Sequence, residues 1–145
     1  MADEQAAWVA QRRRAAEHHA AAARRQADAE TAKAQALLDR FVADAGTAGI
    51  EPAPLRARGL GGSMRTFRTD RRGWYLRRDH SIAIDVDAHY LVLVVPVPWS
   101  ALLTGTTVAG SAPPLVVGRG GKDGDAIDLA DLLTRQLATG NEPSR

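Results

Sequence analysis

Three stretches of this chain hold residue types that can bind or react. Gly118-Arg119-Gly120-Gly121-Lys122-Asp123-Gly124 places a glycine-rich turn and a lysine before a helix-like run, the setting in which backbone N–H groups and a helix dipole hold phosphate. A phosphate loop, however, has four residues between its first Gly and Gly-Lys, then a Ser or Thr for magnesium. Here Asp123 follows Lys122, and Asp125, Asp128 and Asp131 would repel an anion, so the stretch reads as a glycine-rich connection.

Asp85, Asp87 and His89, with His80 nearby, are the residue types of a metal site. Alternation in the surrounding strand puts Asp85 and Asp87 on a wet face, where charge is expected without a metal. His18 and His19 are adjacent on a helix and point about 100° apart, so they cannot chelate one ion together. No Ser or Thr sits in a nucleophile elbow, and the absence of Cys removes thiol nucleophiles, disulfides and zinc ribbons together. The expectation is a protein that is not an enzyme, with no metal and no cofactor.

The densest charge lies between Arg56 and Arg78, where Arg56, Arg58, Arg65, Arg68, Arg71, Arg72, Arg77 and Arg78 face one acid, Asp70. Phe67, Trp74 and Tyr75 are interleaved with them. Arginines and aromatics on strands are how many modules hold nucleic acid. The net charge is only +2, although the pI is about 9.5. With only Lys33 and Lys122 as lysines among 19 basic residues, the arginine bias matches the coding habit of a high-GC bacterial genome. The eight arginines are therefore a candidate anion or nucleic-acid surface, discounted for composition.

These residues must be positioned by a chain of 145 residues, enough for one ordinary domain and an appendage. From about Asp3 to Ala45 there is no Gly or Pro, and Ala, Arg, Gln and Glu predominate, which predicts one continuous helix about 65 Å long. Asp3 is expected to cap its start and Gly46 to supply the left-handed C′ residue. Leu37, Leu38, Phe41, Val42 and Ala45 form an amphipathic stripe in the last turns, expected to dock on the domain. Upstream, Trp8, Ala15, Ala22, Ala29, Ala36 and Ala43 recur every seven residues, one seam of a coiled coil built from small side chains. The positions three and four further on are not apolar. Trp8, Ala15, Ala22, Ala29 and Ala36 are thus the candidate docking or self-association residues.

Residues 47–62, rich in Gly, Pro and Ala, read as a linker. A compact domain over 63–140 follows, with 141–145 as a disordered tail. Its expected strands are Met64 to Thr69, Trp74 to Arg78, Ile82 to Asp87 and Tyr90 to Val97, joined by turns too short for crossovers and so forming an antiparallel meander. Ile82, Ile84 and Val86 should be buried, with Ala83, Asp85 and Asp87 wet. A short turn at Trp99 to Leu103, a fifth strand at Leu115 to Val117, and a helix from Asp125 to about Ala138 closed by Gly140 complete the reading. The fold class is α+β: a long N-terminal helix, then a four- to five-stranded antiparallel meander packed by a C-terminal helix. No apolar run approaches the roughly 20 residues that span a bilayer, and the N-terminus lacks the apolar core of a signal peptide. The expected setting is cytoplasmic and off the membrane, and the expected function is assembly or docking through the long helix on a protein partner. Nucleic-acid or ribosome association through the arginine-rich strands is the alternative.

Overall fold

The computed structural model describes residues 1–60, 65–96, 101–118 and 126–140. The architecture is α+β: α1 (Ala2–Ala48), β1 (Ala53–Gly59), β2 (Thr66–Tyr75), β3 (Ile82–Asp85), β4 (Tyr90–Val92), β5 (Val94–Val95), α2 (Ala101–Thr104), β6 (Val116–Val117), β7 (Ile127–Asp128) and α3 (Leu129–Thr139). Met64, Val97, Trp99, Arg119 through Asp125 and the tail at 141–145, all named above, lie outside the described residues. Among the described residues no helix is long and apolar enough to cross a membrane.

The long helix forms as expected and runs three residues further. Gly46 stays helical and Gly49, at φ 73°, takes the left-handed cap, its N–H reaching Ala45 and Gly46 carbonyls. Packing explains the extension, because Ala45 is buried against the domain and carries the helix past the first glycine. Asp3 falls inside the first turn with Met1 as the N-cap, so it meets the helix dipole rather than capping the end. Of the predicted stripe, Leu38, Phe41 and Ala45 are buried and Leu37 and Val42 half-buried.

Several expectations about the strands are corrected. Residues 53–59, inside the stretch read as a linker, form β1, and the predicted first and second strands are one strand, β2. The polar run Thr69 to Gly73, read as a turn, is instead a bulge in the ladder between β1 and β2. Ala53 and Pro54 pair with Gly73 and Arg72, then Arg56 pairs with Arg68, so three residues of β2 oppose one of β1. The Thr69 hydroxyl donates to Leu55 carbonyl at 2.8 Å and accepts from Arg71 N–H at 3.2 Å, satisfying polar groups that the bulge leaves without ladder partners. Pro54 sits beside this bulge, one of the few sheet positions that tolerates a residue with no N–H.

The sheet order is β4-β3-β2-β1-β5, with β5 parallel to β1 and the other pairings antiparallel. β4 and β5 are separated by Leu93 alone. Its N–H donates to Ser81 carbonyl on the β3 side, and its carbonyl accepts from Arg58 N–H of β1. The two outer strands are therefore one continuous segment, and the sheet rolls until its edges meet. This explains a further correction. Ala83 and Asp85, expected to be wet, are buried, while Val86 is 43% exposed.

A rolled sheet has an inside and an outside, and each has its own core. Inside are Leu55, Ala57, Ala83, Leu91 and Leu93, closed by Val108 from the segment after α2. Outside, Trp74, Leu76, Ile84 and Tyr90 meet Leu38 and Phe41 of α1 and Leu129, Leu132 and Leu133 of α3. Phe41 stands edge-on to Trp74 at 5.5 Å, and the Trp74 indole N–H donates to Ile50 carbonyl. Burying Leu38 and Phe41 is worth roughly 1.5–3 kcal/mol each. β6 and β7, where a fifth strand of the sheet was expected, form a separate two-stranded ribbon that leads into α3. The helix expected from Asp125 starts instead at Leu129, because Ile127 and Asp128 pair in β7, and within it Leu129, Leu132, Leu133 and Gln136 are buried.

Candidate functional site

The chemistry-bearing residues fall into three places. At the bulge, Asp85 is 1% exposed and its carboxylate is fully engaged. Oδ2 receives Arg71 Nη1 at 2.7 Å and His89 Nδ1 at 2.9 Å, and Oδ1 accepts the backbone N–H of Asp87 at 3.0 Å and of His89 at 2.8 Å. Burial by itself would raise this carboxyl, but the hydrogen bonds and charge of His89, with the Asp87 N–H, hold it below its ordinary 3.8. Arg71 Nε donates to Val108 carbonyl at 3.0 Å, so the guanidinium ties β2 and β3 to the segment that lids the inner core.

Asp85, Asp87 and His89 bring possible ligand atoms within 4.8 Å of one another. Arg71 Nη1 stands among them, 2.7 Å from Asp85 Oδ2 and 3.3 Å from His89 Nδ1. The cation balancing Asp85 is a guanidinium, and a divalent ion would have to displace it against like-charge repulsion. An imidazole oriented by a carboxylate also has the form of a general base, yet no described hydroxyl is hydrogen-bonded to His89. The cluster is an internal tie. Sequence spacing singled out Asp85 and His89 but not Arg71 as their partner, because the bulge that swings Arg71 inward is a tertiary feature. His80, far from the cluster's chemistry, stacks on Tyr75 at 3.9 Å.

The second place is the β1–β2 ribbon. Leu55 and Ala57 point into the inner core, so Arg56 and Arg58 point outward, and the ladder pairs them with Arg68 and Thr66. Arg72, opposite Pro54, shares that outward face. Arg71 does not. Arg77 is ion-paired with Asp79, Arg78 is exposed beyond the end of β2, and Arg65 precedes its start. Trp74 is 5% exposed, while the Tyr75 hydroxyl accepts Arg56 N–H from the inner side. The aromatics interleaved in sequence therefore do not share the arginine face.

The third place is α1. Every residue from 2 through 30 is exposed except half-buried Ala21, a length on the order of 40 Å. Trp8 is 57% and Val9 51% exposed, with Arg12 lying over the Trp8 ring at 4.7 Å. Ala15, Ala22, Ala29 and Ala36 are all exposed or only half-buried, and none enters the core. At 100° per residue, Ala36 lies about 170° round the helix from the buried Ala34, Leu38, Phe41 and Ala45, and the seam is still about 90° away at Trp8. The heptad seam and the domain-facing stripe are different faces. His18 and His19 remain on the projecting part, edge to face at 6.2 Å.

Comparison with known proteins returns no match, whether to protein-family models, to curated proteins or to solved structures.

Proposed function

We propose that this protein is a non-enzymatic assembly factor whose projecting helix pairs with the same helix of a second copy, holding two rolled-sheet domains apart for partner recognition. The observation that carries this reading is the projecting helix itself, exposed from residue 2 to residue 30 apart from Ala21, with Trp8 more than half exposed and an alanine seam on a different face from the stripe that docks on the domain. A helix of this length exposes many backbone hydrogen bonds to water, and most helical stability in proteins comes from packing a face. Alanine on every seventh residue lets two axes approach to about 8 Å, the short end of helix packing.

The flanking residues favour antiparallel pairing. A parallel pair would set Arg25 against Arg25 and Asp39 against Asp39, three residues past Ala22 and Ala36. An antiparallel pair with its twofold at Ala22 sets Ala15 opposite Ala29 and Trp8 opposite Ala36, and brings Arg14 of one helix alongside Asp28 and Glu30 of the other. Trp8 then gains a small-residue seat.

Light scattering tests the reading. The expected mass is twice the 15.5 kDa of the chain, falling to one chain when Ala15, Ala22 and Ala29 become Glu, with helix content of the domain kept. A wild-type monomer at about 100 μM, a weak-dimer threshold near 5.5 kcal/mol, refutes it. Because the chain has no Cys, Ala22→Cys introduces a single thiol. Antiparallel pairing predicts rapid cross-linking of Ala22→Cys and none of Ala15→Cys; parallel pairing predicts both.

A further inference from the structure

We propose that the outward face of the β1–β2 ribbon binds the phosphate backbone of a nucleic-acid duplex through Arg56, Arg58, Arg68 and Arg72. The proposal is independent of the helix, and it rests on the ladder register. Arg56 is paired directly with Arg68, an arrangement of like charges that costs stability in a sheet. Two residues along each strand from that pair or across the bulge, Arg58 and Arg72 continue the same face. Among the described residues, no carboxylate lies within ion-pair distance of any of these four, although Asp79 lies near enough to Arg58 to feel its charge.

Two of these guanidiniums, those of Arg56 and Arg72, are held by neutral groups. Arg56 Nε donates to the Thr66 hydroxyl at 2.8 Å and Nη2 to Thr66 carbonyl, and Arg72 Nη2 donates to Pro52 carbonyl at 3.0 Å. Neutral acceptors fix the side chains without spending their charge, which leaves the outer edge of each fork for an anion. Successive outward residues on a strand are about 6.7 Å apart and cross-strand neighbours about 5 Å, so the ligand must repeat its charge at short intervals.

The neighbours on this face select among polyanions. Phe67 and Tyr75 lie on the inward side of β2 and Trp74 is covered by Phe41, so the ribbon offers no ring on which an unpaired base can stack. The hollow beside Arg68 is lined by Thr69, Asp70, Thr106 and Thr107, polar groups rather than the apolar seat that anchors a peptide. Arginine forks without stacking or base-reading groups are the equipment for sequence-independent backbone contact.

The test is fluorescence anisotropy of the full chain with a labelled mixed-sequence DNA duplex of about 20 base pairs, over roughly 50–250 mM salt. The same strand unpaired, a polyglutamate peptide and anionic vesicles are compared. The expected result is duplex binding whose log–log salt slope is about −3.6, as four phosphate contacts require. Arg56→Glu with Arg68→Glu, at exposed positions that leave the circular dichroism unchanged, is expected to weaken binding at least about tenfold and to cut the slope by roughly half. No duplex binding at low salt, or the same affinity in the doubly reversed variant, overturns the proposal. So does equal or tighter binding of the single strand, the peptide or the vesicles. Loss of binding on reversing Arg12, Arg13 and Arg14, with the ribbon variant unaffected, would place the contact on the helix and overturn it too.

Discussion

Replacing Asp85 by Asn isolates what the buried charge contributes, because the shape is kept. Asn Oδ1 can still accept the backbone N–H groups of Asp87 and His89, now held at 3.0 and 2.8 Å. The amide nitrogen falls where Oδ2 was, facing Arg71 Nη1 at 2.7 Å, donor against donor. One charge-assisted hydrogen bond is lost, worth about 1.5–3 kcal/mol, and Arg71, whose side chain is 23% exposed, keeps a partly desolvated charge whose remaining counter-charge is the half-exposed Asp70, 3.8 Å from its Nε. Together these amount to about 3 kcal/mol, which lowers the Tm of a domain of this size by roughly 12–24 °C.

Thermal melts followed by circular dichroism at a series of pH values check both the size and the sign. The folded carboxyl titrates below 3.8, so its stabilisation is complete above that unfolded value and is lost as pH falls through the lower folded one. The gap between wild type and Asp85→Asn should be present at neutral pH and narrow as pH falls below 3.8. A gap under about 2 °C at neutral pH, or one that does not close in acid, would refute the assignment of Asp85 and Arg71 as the tie across the bulge.

Three further substitutions probe the frame. Phe41→Ala removes the ring that stands against Trp74 and should cost about 3–5 kcal/mol in urea unfolding, with loss of the near-ultraviolet signal of Trp74. Gly73→Ala should be more damaging than an ordinary strand glycine, because an added Cβ would run into Ile84 carbonyl and stand 2.7 Å from Asp85 Cα. Its expected outcome is insolubility or a Tm drop larger than that of Phe41→Ala. Gly49→Ala meets nothing within 4 Å, so only the left-handed φ is penalised, and a loss of about 1 kcal/mol is expected in the same melts.

The helices were legible because their signals are local. An unbroken run of helix formers and a stripe at Leu38 and Phe41 predict both the length of α1 and the face that docks, whereas for α3 Gly140 marks the end but the start, expected at Asp125, falls at Leu129 after β7. The rolled sheet was hidden because its determinants are relational. Pro52 and Pro54 mark a linker by composition, yet Pro54 is accommodated by a bulge that exists only once β2 lies beside it. Thr69 through Gly73 has turn composition, and nothing in those five residues states that Leu55 waits for the Thr69 hydroxyl. The alternation at Ile82 to Asp87 suggested one wet face, and it failed because closure gives the sheet two cores. For the candidate sites, residue types found Asp85, His89 and the arginines. Only the register separates Arg71, turned inward, from the four that share the outer face.

The junction at Leu93 limits how this domain can be recognised. A common way to capture an extended peptide is to let it extend a sheet by one strand, which needs an outer strand with idle N–H and C=O groups. Here the outermost strands are neighbours through a single residue whose N–H and carbonyl are already used, and Tyr90 carbonyl at the start of β4 accepts Ser111 N–H. Among the described residues, this junction presents side chains on a curved outer wall in place of a main-chain border, and the same closure removes a template for end-to-end ladder growth there.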